Sequence, residues 1–84
     1  MRTKLEVIAD VAMLSPQELL ILLRVLEHEI SLDPKLRTRF IEYKYNNYAV
    51  ARHIGHLYLS AHTHCDSGTV QAIDEALNLF YQKA

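Results

Sequence analysis

Apolar side chains recur along this chain at steps of three and four, the period of a helix with one buried face. Leu19, Leu23, Leu26 and Ile30 step by four, three and four. Directly before them, Ser15-Pro16-Gln17-Glu18 supplies a capping serine, a proline at the first helical position and a glutamate three residues after the cap. Together they predict an amphipathic helix that ends near Ser31. Asp33-Pro34 repeats the device and opens a second helix. From there Leu36, Phe40, Tyr43, Asn47, Val50, Ile54, Leu57 and Ala61 continue without an intervening proline. This run predicts one helix over residues 34–62, about 40 Å long at ~1.5 Å per residue. Its weak point is Tyr45-Asn46-Asn47-Tyr48, where two asparagines lower helix propensity. A break there gives two shorter helices with the same layout. Ile41, Tyr48 and Leu59 form a second apolar line, so neighbours are expected on both sides of this helix.

The two ends are shorter. Leu5, Ile8, Ala9 and Ala12 predict a first helix, and Val70, Ile73, Leu77 and Phe80 a last one behind the turn Asp66-Ser67-Gly68. No segment sustains a period of two. The expected fold is an all-α bundle of four or five helices with one long central helix, in a single domain over residues 1–84.

Composition narrows the class further. Half of the residues are hydrophobic and there are two glycines and two prolines, which excludes a disordered chain. At 84 residues a domain has a thin margin of stability, and small helical chains widen it by pairing with a copy or a partner. Cys65 is the lone cysteine, so no internal disulfide forms. With no secretory pattern over Met1–Asp10 and no long apolar run, the expectation is a cytoplasmic protein without a membrane segment.

The net charge of −1 hides a contrast along the chain. Residues 1–33 sum to −3, residues 34–65 to +4 and residues 66–84 to −2. Tyr43, Tyr45 and Tyr48 lie among the basic residues, a composition suited to phosphate contact and base stacking. Arg37, Lys44 and Arg52 share one helix side and are the candidate nucleic-acid contacts. Lys35 and Arg39 lie on another side, so the charges form two thin lines, and pairing with the acidic first and last segments is the competing use.

His62-Thr63-His64-Cys65-Asp66-Ser67-Gly68 concentrates the reactive residue types. On the helix map it is a helix C-terminus, where a protonated histidine complements the negative end of the dipole, followed by the next cap. A metal alternative uses His53, His56 and His64 on one helix side, with Cys65 or Asp66 as a fourth ligand from the turn. The stretch resembles the metal-binding His-x-His opening of the PHP-type phosphoesterases. In that family it precedes a large α/β barrel with further ligands. Here 16 residues follow Gly68 and no strand pattern precedes His62, so no residue is carried over. Cys65 has no orienting partner for nucleophilic catalysis, and no enzymatic activity or cofactor is expected.

Two further resemblances bear on partners. Ala51, Gly55 and Thr69-Val70 resemble a helix-turn-helix, although 13 residues separate Gly55 from Thr69. Ile54-Gly55-His56-Leu57-Tyr58 with Ala72-Ile73-Asp74-Glu75-Ala76-Leu77 is similar to one tetratricopeptide repeat, which implies an antiparallel helical hairpin and protein binding. The expected function is therefore a small protein-interaction module acting through helix surfaces as a homodimer. Ile41, Tyr45, Tyr48, Arg52 and Leu59 are its contact residues, since tyrosine and arginine anchor interfaces well. Asn47 has two expected uses. It pairs with its own copy to fix register, or it lies in a kink facing water.

Overall fold

The computed structural model describes residues 2–42 and 46–81. Among them are five helices and no strand: α1 (Lys4–Ala12), α2 (Pro16–Glu29), α3 (Lys35–Glu42), α4 (Asn47–Thr63) and α5 (Ser67–Tyr81). The all-α expectation holds. The punctuation read from the sequence is present in atomic detail. Ser15 Oγ accepts the Glu18 amide at 3.2 Å while the Ser15 amide donates to Glu18 Oε1 at 2.9 Å, a complete capping box ahead of Pro16. Asp33 Oδ1 likewise accepts the Lys35 amide at 3.0 Å. Thr3 and Glu6 form a second capping box in front of α1.

The single long helix over residues 34–62 does not form. Asn46 adopts extended backbone angles (φ −74°, ψ 162°) and its Oδ1 accepts the Ala49 amide at 2.8 Å, so it starts α4 afresh. The physical reason is the asparagine side chain, which offers nearby amides a bond that competes with helix continuation. Asn47, the first residue of α4, is half-buried, and its side-chain amide is engaged within the chain. Its Nδ2 donates to the Leu14 carbonyl, tying the start of α4 to the turn between α1 and α2.

The core is built around α2 and α4. Leu19, Leu22, Leu23 and Leu26 on α2 are fully buried, each contributing about 1.5–3 kcal/mol of transfer free energy. Val50, Ala51, Ile54 and Tyr58 of α4 and Ile73 and Leu77 of α5 complete it. On α1 the buried residues are Val7 and Val11, while Leu5 is exposed and Ile8 partly covered. Of the expected stripe, Ile8 and Ala12 pack against the edge of the core, whereas Leu5 and Ala9 are exposed. Ile8 also makes a second contact, with α4.

Candidate interaction surfaces

α1 and α4 make the closest helix pair of the fold, and they run antiparallel. The Arg2 amide donates to the Tyr58 hydroxyl at 3.2 Å at one end, and Asn47 reaches Leu14 at the other. Gly55 sets their approach. A Cβ built on it would stand 2.5 Å from Ile8 Cγ1 and 3.6 Å from Lys4 Cγ, so only glycine admits α1 this closely.

The outer edge of this seam carries the α4 residues singled out from the sequence. At ~100° per residue, Tyr48, Arg52 and Leu59 fall within an arc of about 40°, next to Gly55 and facing away from the core. Tyr48 is 57% exposed and Leu59 46%. On α1, Leu5 is 76% exposed and lies about 60° round the helix from Ile8, on the side away from the buried Val7 and Val11, so it extends the outer edge of the seam. Sequence reasoning missed Leu5 because it assigned that side chain to the core. Ile41 is also exposed, but it belongs to α3, and the new start at Asn46 removes the register that aligned it with Tyr48. Tyr45 lies outside the described residues.

Behind the same seam a polar clasp holds α1 to α5. Arg2 donates through Nε to Asp10 Oδ2 at 2.8 Å, through Nη1 to Asp74 Oδ1 at 3.3 Å and through Nη2 to Asn78 Oδ1 at 2.7 Å. The Tyr58 hydroxyl donates to both Asp74 carboxylate oxygens at 2.9 and 3.0 Å. Burial, and then the Asp74 carboxylate, push the Tyr58 phenol up to about 12. In the sequence Tyr58 and Asp74 were singled out only within the repeat-like pattern, and Arg2, Asp10 and Asn78 not at all, because the members of the clasp lie up to 76 positions apart.

Of the candidate nucleic-acid contacts, Arg37 is engaged within the fold. Arg37 is held by Glu27 through Nε at 2.8 Å and Nη2 at 3.2 Å, a two-pronged bond that joins α3 to α2. Hydrogen bonding to Glu27 raises the Arg37 pKa. Arg52 is exposed on α4, and Lys44 lies outside the described residues.

The 62–68 stretch is a helix end. Cys65 takes a left-handed conformation (φ 56°). Its amide donates to the His62 carbonyl at 3.2 Å, and the Asp66 amide donates to the Ala61 carbonyl at 2.7 Å. These are the two bonds of a Schellman motif, with cysteine where glycine is usual. His64 Nδ1 meets the Ser60 carbonyl at 2.8 Å, one turn back. Asp66 then caps α5, accepting the Thr69 amide at 3.1 Å and the Thr69 hydroxyl at 2.6 Å, and these bonds lower its pKa. The turn makes α4 and α5 a hairpin, with Tyr58 and Asp74 meeting across it. His53, His56, His64 and Cys65 are all exposed. Among the described residues no three His, Cys, Asp or Glu side chains gather into a metal-binding group.

No protein family, curated protein or solved structure matches this chain. Among the described residues, no helix is long and apolar enough to cross a membrane.

Proposed function

We propose that this protein is a small, non-enzymatic interaction module that pairs with a second copy through the outer face of α4. The observation that carries this reading is the exposed Tyr48–Arg52–Leu59 edge beside the α1–α4 seam, extended by Leu5. The aromatic ring and the guanidinium are side chains of the types that most often dominate binding energy at interfaces, and the two exposed leucines add apolar area beside them. Gly55 helps by fixing the two helices closely, so that little ordering remains to be lost on association. The lone exposed thiol of Cys65 suits a reducing compartment, and we assign the module to the cytoplasm.

Nucleic-acid binding draws less support, because Glu27 already engages Arg37. Sedimentation equilibrium of the untagged protein, alone and as the Tyr48→Glu/Leu59→Glu variant, tests the pairing. The reading expects a dimer that the double variant converts to a folded monomer with unchanged far-ultraviolet circular dichroism. A wild-type protein that stays monomeric at every concentration overturns it.

A further inference from the structure

The α2–α5 contact leaves an open groove of about 340 Å³ on the surface. Val25, Ala72, Ala76 and Leu79 line it with apolar surface, and Glu29 and Glu75 line it with carboxylates. The groove exists because α5 presents short side chains at every fourth position, at residues 68, 72 and 76, toward α2. Opposite them, Val25 is only partly buried, and Ile21, one turn earlier on the same ridge, is 53% exposed. Leu79 is 66% exposed.

Charge decides what such a groove accepts. The salt bridges among the described residues join Arg2 to Asp10 and Asp74 and Arg37 to Glu27, and none of these residues brings a cation to Glu29 or Glu75. Gln71 Nε2 donates to Glu75 Oε1 at 2.9 Å and so orients that carboxylate without neutralising it. α5 contains no lysine, arginine or histidine between Ser67 and Tyr81. The outer face of α4, by contrast, carries Arg52, His53 and His56. The two surfaces therefore call for partners of different chemistry.

We propose that the α2–α5 groove docks an amphipathic helix of a partner protein, one that carries lysine or arginine beside its apolar stripe. Apolar side chains of that helix, at steps of three and four, fill the space over Val25, Ala72, Ala76 and Leu79. Its basic residues flank the stripe and meet Glu29 and Glu75 at the rim, where they set orientation and exclude acidic helices. The inference rests on the reading of the chain as an interaction module. It uses a different face from the α4 pairing, however, so either claim fails without the other.

The test uses the full chain and a synthetic helical peptide of leucine and lysine in heptad order, with a leucine–glutamate peptide as counterpart. Backbone amide shifts under titration report where the peptide sits. The proposal expects shifts centred on Val25, Ala72, Ala76 and Leu79. Glu29→Lys/Glu75→Lys should weaken the lysine peptide at least ~10-fold and admit the glutamate peptide, whereas Glu42→Lys on α3 leaves both unchanged. Shifts centred elsewhere, or equal affinity in the charge-reversed variant, overturn it. So does a dimer that Glu29→Lys/Glu75→Lys dissociates, because the groove is then the seat of a second copy.

Discussion

The chain's two glycines occupy opposite kinds of place. Gly55 sits in the seam between α1 and α4, where the space a side chain would take is already filled by Ile8. Gly68 lines the groove between α2 and α5, where an added Cβ would meet only Asp66 Oδ1, at 3.6 Å. Small residues on a helix thus close a seam only if a side chain of the facing helix fills the space they leave. α1 sends Ile8 to Gly55, and the seam shuts. α2 sends the partly covered Val25 and the charged Glu29 toward Gly68, Ala72 and Ala76, and the seam stays open. In this fold the closed seam holds the structure, and the open one offers surface.

The same substitution should act with opposite sign at the two places. Gly55→Ala forces Ile8 or α1 to move, an overpacking cost of about 1–3 kcal/mol that outweighs the ~1 kcal/mol gained in helix propensity. Gly68→Ala meets ordinary contact distance and should raise stability, by about 0.4–1 kcal/mol, through the unfolded chain. Urea unfolding of both variants reads the two signs. Adding Ile8→Ala to Gly55→Ala should cost less than the two losses summed, because Ile8→Ala removes the atoms that the added Cβ meets. Equal signs at the two glycines would contradict the account.

A smaller effect follows from the clasp behind the closed seam. Tyr58 loses its hydrogen bond to Asp74 in Tyr58→Phe, which costs about 1–2 kcal/mol near neutral pH. Its pH dependence has a definite sign. The Tyr58 phenol is displaced upward in the folded state, to about 12, so its contribution is fully present below the unfolded phenol value of about 10. That contribution is lost as pH rises through about 12. Alkaline unfolding followed by circular dichroism should therefore show a weaker decline for Tyr58→Phe than for the wild type over that window. A decline of equal steepness in both proteins would place the alkaline loss elsewhere.

The smallest effect lies at the turn that joins α4 to α5. Cys65 holds a left-handed backbone conformation that favours glycine, at a cost of roughly 1 kcal/mol. Cys65→Gly should therefore stabilise the protein by up to about that amount, with thermal unfolding under reducing conditions as the check. Destabilisation instead would show that the thiol makes a contact of greater worth than the strain.

Local chemistry was legible in the sequence because it spans few residues. Ser15, Asp33 and Asp66 cap the helices that their neighbours announce, and the 62–68 stretch ends a helix. The break before α4 was visible only as a weakness. Apolar periodicity ran through Asn46 and Asn47, and the capping bond to Ala49 outweighed it. The face of α1 was misread because Ile8 obeys a partner helix more than 40 positions away, and helix periodicity alone does not distinguish core from seam. The Arg2 clasp and the α2–α5 groove depend wholly on how distant helices are juxtaposed. A trace of the groove was still present in the four-residue spacing of Gly68, Ala72 and Ala76 and in the absence of any cation from α5.

The proposed pairing of two copies through the outer face of α4 has a direct readout. The most direct measurement is a series of amide and methyl NMR spectra of the untagged chain from dilute to concentrated solution. The account predicts concentration-dependent shifts confined to Leu5, Tyr48, Arg52, Leu59 and their neighbours, with Val25, Ala72 and Leu79 unmoved. Spectra that do not change with concentration, or that change along the α2–α5 groove instead, would contradict it.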